Sequence, residues 1–436
     1  MKQYPTYKES GLVNIETIPA HWEALKLRLV CDQIFTGNTP VYAYEPNEFL
    51  VFGQRNNQKN CIDFAGIKYA DPEFFAARTE NEFLRYGDVL LNTLGGGSVG
   101  RIGFYDVKDK QVITDGHVMI LRGNKSVEQK YLYYFLHSQQ SLLEEAAVGS
   151  TNQAFLTTTQ MFQWKVAVPP LAEQQAIAKF LDSKTAKIDE TISLYEQQKA
   201  DLVEYRKALI SDTVTRGLNP NVPLKDSGIQ WLGQIPEGWK IVPLKFLLAS
   251  GMMYGANESA DEPNMEWPRY IRITDIAENG SLKDETYMSL SPDKAADYML
   301  QKGDILFARS GATVGKTYMF NENYPACFAG YLIKATCGKD LLPEFLLKYT
   351  QSSVYENWKN SIYIQSTIQN IGADKYNQMP IPLPSLAEQQ AIVSFLDSKT
   401  AMIDEAIRRI DEQIADLKAY RTALITDAVT GKIDVR

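Results

Sequence analysis

The sequence predicts a mixed α/β protein made by duplication. Two globular domains are each followed by one long helix, and the two helices pair as an antiparallel coiled coil in a pseudo-twofold frame. Three observations carry this. The segment "LAEQQAIAKFLDSKTAKIDE" from Leu171 returns as "LAEQQAIVSFLDSKTAMIDE" from Leu386. An apolar residue at every seventh position runs on from both copies. A third segment, ahead of each domain, repeats as well. A period of 215 residues, from Leu171 to Leu386, is far longer than any solenoid repeat, so each copy must hold a whole domain.

Taken in order, "YKESGLVNIETIPAHW" (7–22) corresponds to "LKDSGIQWLGQIPEGW" (224–239), one linker before each domain. "GDVLLNTLGGGSVGRIGFYDV" (87–107) matches "GDILFARSGATVGKTYMF" (303–320) as strand, Gly-rich turn, strand. "YLYYFLHSQQSLLEEAA" (131–147) and "LLPEFLLKYTQSSVYENW" (341–358) each read as a helix, and "GSTNQAF" (149–155) pairs with "QSTIQNI" (365–371). The stretches 36–84 and 251–300 barely resemble each other, so the domains share a scaffold and differ in an insert. Pro169, Pro170, Pro382 and Pro384 exclude regular helix just before the long helices.

In the first long helix Leu181, Ile188, Tyr195, Leu202 and Leu209 recur every seven residues. In the second, Leu396, Ile403, Ile410, Leu417 and Leu424 do the same. Interleaved Thr185, Ile192, Ile407 and Ile414 complete a coiled-coil seam. A stripe of roughly 40 Å, at 1.5 Å per residue, is longer than a small domain usually covers, which favours pairing of the two helices over packing of each on its own domain. Gly217 and Gly431 stand where C-terminal caps are expected. These features divide the chain into a first domain (1–168), a central helix (169–217), a second domain (218–383) and a C-terminal helix (384–436). The first helix carries the chain to the second domain, and the second helix returns it toward Tyr7.

The apolar content of 44% and charged content of 22% are ordinary for a folded soluble protein. Cys31, Cys61, Cys327 and Cys337 show no CxxC spacing, and the histidines are His21, His117 and His137 alone, so neither a disulfide framework nor a zinc or other metal site is suggested. No apolar run approaches membrane-spanning length and the N-terminus lacks an apolar signal region, so a cytoplasmic protein is expected. A net charge of -8 disfavours a chain that coats nucleic acid unaided, although local basic grooves remain open to it.

No catalytic residues stand out. "GATVGKT" at Gly311 has three residues, not four, between its glycine and Gly315, and a strand-like "YMF" follows it, so it does not fit a phosphate loop. "GGGSVG" (95–100) has G-x-G-x-x-G spacing without a surrounding βαβ unit. A tight hairpin needing positive φ explains both. The Asn- or Asp-Pro-Pro-aromatic tetrapeptide of a DNA amino-methyltransferase is missing, since the only Pro-Pro follows Val168.

With its domains alternating with near-identical helices and carrying "IPEGW", "GDIL", "QSTIQNI" and "PSLAEQQAIVSFLD", the chain resembles, over essentially its whole length, the specificity subunit of Type I restriction-modification systems. That resemblance implies a non-catalytic protein whose two target-recognition domains each read half of a split, asymmetric double-stranded DNA sequence. Its helices would space the half-sites and dock two methyltransferase subunits, which supply the S-adenosylmethionine chemistry. The resemblance also implies that two motor-nuclease subunits, using ATP and Mg, would join where the system cleaves DNA as well as methylating it. A nuclease or fused restriction-modification enzyme is the alternative, and a coiled-coil adaptor that never touches DNA is a third reading.

Base edges are read by Arg, Asn and Gln. Arg55, Asn56, Asn57, Gln58 and Lys59 in "GQRNNQKN" are therefore candidates in the first domain, and Arg269 and Arg272 of "RYIRITD" in the second. A solvated loop and an ordinary exposed strand face are the competing explanations. Arg309, Ser310, Thr313 and Lys316, with Ser366, Thr367, Gln369 and Asn370, lie in elements common to both halves and suit phosphate contacts. Glu173, Gln174 and Gln175, with Glu388, Gln389 and Gln390, are duplicated polar residues off the seam. They are candidates for partner docking, with helix capping as the alternative.

Overall fold

The computed structural model describes residues 2–58, 61–149, 154–261, 263–277, 280–311, 313–363 and 370–436. The chain forms two compact units, residues 1–195 with 412–436, and residues 196–411. Each contains one globular domain and parts of both long helices, so the helices are shared rather than separate from the domains.

The long helices run Leu171–Arg216 and Leu386–Val429. Gly217 and Gly431 follow them at φ 76° and 73°, the left-handed conformation in which glycine terminates a helix. In the unit 196–411 the helices are antiparallel. Lys199 pairs with Asp411 at 2.6 Å, and seven residues on, Arg206 pairs with Asp404 at 2.8 Å, so one number rises as the other falls. In the other unit Arg421 pairs with Asp189 at 3.0 Å. Leu181, Ile188, Leu396, Ile403, Ile410 and Leu424 are buried, and Tyr195, Leu202, Leu209 and Leu417 half-buried, as a coiled-coil seam requires.

Both domains are built on the same antiparallel four-stranded sheet. In the first the order is Ile102–Phe104, Val89–Asn92, Val118–Gly123 and Cys31–Thr36. In the second it is Thr317–Met319, Ile305–Ala308, Leu332–Ala335 and Met253–Tyr254. Val89–Asn92 and Ile305–Ala308, each inside its sheet, are buried along their whole length, which explains the unbroken apolar runs "VLL" and "ILFA". The Gly-rich turns are hairpins, as expected. Gly100 and Gly315 have φ near 81°, and a Cβ at either would stand 2.9 Å from the Glu144 nitrogen or 2.2 Å from Lys359 Cδ, so no other residue fits without a shift.

The proline-rich segments before the long helices are short strands, Lys165–Val168 against Glu23–Lys26 and Pro380–Leu383 against Lys240–Pro243. Each of the two expected domain helices is broken in two: Gln129–Ser138 and Gln140–Ala146, and Pro343–Thr350 and Ser353–Tyr363. Gln139 and Gln351 stand at the breaks, with ψ of 8° and 0°.

In the first domain Asp88 and Arg122, the latter on the strand Val118–Gly123, form a buried bidentate pair at 2.8 and 2.9 Å. The remaining Arg122 donors go to Gln33, Asn81 and Phe83 oxygens, leaving no bare charge in the core. At the matching place in the second domain Asp304 accepts from the Thr336 hydroxyl at 2.6 Å. All four cysteines are free thiols. Among the described residues no helix is long and apolar enough to cross a membrane.

Candidate functional site

The duplicated polar residues at the helix starts turn inward. Glu173 is 4% exposed and accepts from the Tyr4 hydroxyl and from Trp22 Nε1 at 3.1 Å, while His21 Nε2 lies 2.9 Å away. Burial first, then the Glu173 carboxylate, pushes the Tyr4 hydroxyl up, so it stays a donor. In the second domain Trp239 Nε1 donates to the half-buried Glu388 at 3.0 Å. Gln174 is fully buried, accepting from the Glu128 amide at 2.8 Å and donating to Ser126 and Pro169 carbonyls. Gln389 repeats this with the Leu342 amide and the Asp340 and Pro384 carbonyls. Glu173, Gln174 and Gln389 are thus clamps between linker, domain and helix rather than docking residues, and Glu388 is largely spent the same way. Gln175 and Gln390 alone of the six are exposed.

Several expected base readers are also internal. Asn57 is fully buried and donates to Asn92 Oδ1 at 3.0 Å and to the Arg101 carbonyl. Asn56 is buried, accepting from the Gly53 amide at 3.0 Å and donating to the Asp63 carbonyl at 2.9 Å. Arg269 is buried against the Tyr324 hydroxyl and the Lys283 carbonyl. Arg272 closes on Asp275 with two bonds, of 2.8 and 3.1 Å, and on the Thr286 carbonyl. All four hold the inserts together; Asn56, Asn57 and Arg269 are buried, whereas Arg272 is half-buried. Gln58 is half-buried and bonds the Arg55 carbonyl, whereas the Arg55 side chain is exposed with no hydrogen bond or ion pair among the described residues. Lys59, Ser366, Thr367 and Gln369 lie outside the described residues.

Of the expected phosphate contacts, Thr313 and Asn370 are exposed, and Ser310 is half-buried in a bridge with Asn370. Lys316 donates to the Ile276 carbonyl at 3.1 Å. Arg309 is half-buried, with its guanidinium 4.9 Å over the Tyr254 ring and its Nε without a hydrogen-bond partner.

Although the inserts differ in sequence, their backbones coincide in kind. Leu50–Phe52 runs parallel to Val112–Thr114, and Arg269–Ile271 runs parallel to Ala326–Phe328. Each is followed by the same turn: Asn56 N to Gly53 O at 2.9 Å in one, Asp275 N to Arg272 O at 3.0 Å in the other. In each the side chain at the fourth turn position accepts from the first amide, Asn56 from Gly53 and Asp275 from Arg272. The shared hairpin grips both turns by a backbone carbonyl, Arg101 Nη1 to Asn57 O at 3.1 Å and Lys316 Nζ to Ile276 O. Arg55 therefore occupies the place of Thr274, and both are exposed.

Comparison with known proteins agrees with this duplicated plan. A family model described as the Type I restriction modification DNA specificity domain matches twice, over residues 19–202 and 236–415. The putative type I restriction enzyme MjaX specificity subunit of Methanocaldococcus jannaschii is 25% identical, covering 99% of this chain and 98% of that protein. The type I restriction enzyme EcoKI specificity subunit of Escherichia coli K12 is 28% identical over 46% of this chain and 44% of its own length. Among solved structures, a chain from work on complex assembly and conformational transition of the type I R-M system aligns with a TM-score of 0.74 at 18% identity, over 95% of this chain and 99% of that one. The HsdS subunit from Thermoanaerobacter tengcongensis gives 0.55 at 18% identity, over 97% and 100%. The structural likenesses speak for the fold, the sequence matches for the family. With two matched domains spanning most of its residues, the chain belongs to the Type I restriction-modification DNA specificity family.

Proposed function

We propose that this specificity subunit reads a split, asymmetric sequence in double-stranded DNA, one half-site per domain, and docks two copies of a methyltransferase subunit. The observation that supports this best is the repeated strand and turn, which holds different outward residues on the same backbone: Arg55 in one domain, Thr274 in the other. A duplicated scaffold offers equivalent places for two identical partners, while differing side chains let the half-sites differ. S-adenosylmethionine, and ATP with Mg where two motor-nuclease subunits join for cleavage, would belong to those partners, and the cytoplasm is where the assembly would act. The reading is tested by co-expressing the chain with a methyltransferase subunit from the same host and mapping methylated adenines. A two-part recognition sequence with an unspecified spacer is expected, and methylation at a continuous or random sequence would refute it.

A further inference from the structure

The two domains offer matched places for side chains that the fold itself does not use. The loop after the parallel strand carries Asp115, Gly116 and His117 in the first domain and Ala329, Gly330 and Tyr331 in the second. The Asp115 amide donates to Phe52 O at 3.0 Å, and the Ala329 amide donates to Ile271 O at 2.9 Å. The hairpin strand then bonds this loop, Thr93 N to His117 O at 2.9 Å and Arg309 N to Tyr331 O at 3.0 Å. Three positions are thus equivalent between the domains: Arg55 with Thr274, His117 with Tyr331, and Thr93 with Arg309.

What stands at these positions differs in chemistry and in exposure: Arg55, Thr274, His117 and Tyr331 are exposed, Arg309 is half-buried, and Thr93 is buried with its hydroxyl donating to the His117 carbonyl. Arg55 and His117 are exposed and, with Lys68 and Asp115, line one cavity of about 320 Å³. In the second domain Tyr331 is 63% exposed, and the half-buried Arg309 has its guanidinium over Tyr254, with Nη1 3.5 Å from the Gly330 carbonyl and Nη2 carrying no hydrogen bond among the described residues. A residue needed for folding is buried with its donors spent, as Asn56, Asn57 and Arg269 are. Unspent donors, fixed in place by backbone bonds to a sheet, are what direct readout of base edges requires.

We propose that Arg55 and His117 in the first domain, and Arg309 and Tyr331 in the second, are the specificity-determining residues, contacting base edges of the respective half-sites. The proposal rests on the reading of the chain as a bipartite DNA reader. It moves Arg309 from phosphate positioning to base reading and adds His117 and Tyr331. Arg55 has the fork that matches guanine O6 and N7, so a G·C pair is expected in its half-site.

The test uses the full chain purified with methyltransferase subunits of its host, on a pool of duplex DNA randomised in sequence, with methylated molecules sequenced. Arg55→Ala and His117→Ala should each lower discrimination in one half-site by roughly 5- to 150-fold at a base pair, as loss of a bidentate base contact does. The other half-site should be unchanged. Arg309→Ala and Tyr331→Ala should do the reverse. Arg55→Lys keeps the charge without the fork and should relax specificity while retaining overall affinity. Uniform weakening on every sequence, rescued by Arg55→Lys, would make these phosphate contacts and overturn the proposal, as would unchanged preferences at both half-sites. A wild-type complex with no two-part preference would instead refute the underlying reading.

Discussion

Trp22 donates its indole N–H to Glu173 at 3.1 Å across 151 residues of sequence, joining the linker ahead of the first domain to the helix that leaves it. Glu173 also serves Tyr4 and lies beside His21, whereas Glu388 is half-buried and, of these ring contacts, repeats only the one from Trp239. Glu173→Ala should therefore cost about 3 kcal/mol, near the upper end for hydrogen bonds to a buried charged group, and Glu388→Ala about 1 kcal/mol. Denaturant midpoints of the two variants measure this. Equal losses would contradict the difference in burial.

Arg122→Ala should be among the most destabilising single changes in the first domain. It leaves Asp88 buried and uncompensated, a situation that costs about 3 to 5 kcal/mol. Arg206→Ala, which removes an exposed interhelical pair with Asp404, should cost less than about 1 kcal/mol. Urea unfolding of both variants checks the contrast.

Burial pushes the Asp115 carboxyl above its usual range, opposed by its bond from the His117 amide and by the charges of His117 and Lys68. A carboxyl whose folded-state pKa is raised favours the folded state below its unfolded pKa, and that contribution is lost as pH rises through the folded value. Asp115→Asn keeps the acceptor for His117 and removes the buried charge. Its melting temperature should exceed wild type at pH 7, and the gain should shrink as pH falls through the carboxylate range. A gain that grows toward acid would be the wrong sign.

Cys61 is exposed, whereas burial pushes Cys31, Cys327 and Cys337 each up to about 12. A thiol reagent on the native protein should modify one cysteine quickly and the other three only on unfolding. Peptide mapping after brief labelling would identify it, and Cys61→Ser should abolish the fast phase.

A heptad inserted after Lys199 and at the matching Ile414 preserves the seam and lengthens the helix pair by ~10.5 Å. That equals about three base-pair steps of DNA. Methylation of the original site should stop without loss of folding, and selection on DNA with randomised spacers should recover the same half-sites farther apart. An unchanged spacer would show that helix length does not set the separation.

The duplication was legible in the sequence as a repeat, and the seam, the hairpins and the non-helical proline segments were legible because each depends on local spacing. The inserts were not. "FGQRNN" and "IRITDI" make the same turn because an Asn side chain accepts the first amide in one and an Asp side chain in the other, an equivalence that composition hides. Asn57 and Gln174 look like surface residues until their partners, 35 and 46 positions away, are known. A signal did exist for the latter: Gln174 and Gln389 recur at the full repeat distance, and a polar residue held so strictly within one chain can mark a shared internal clamp.

Arg101 and Lys316 reach from the shared hairpin to the inserts and hold each by a peptide carbonyl, on Asn57 and Ile276 respectively. A carbonyl is present whatever residue carries it. This part of the join between frame and insert is therefore indifferent to side-chain identity, as Asn57 in one domain and Ile276 in the other show, although Asn57 adds side-chain bonds to Asn92 and to the Arg101 carbonyl. The same bond that stiffens the turn leaves its chemistry free to diversify.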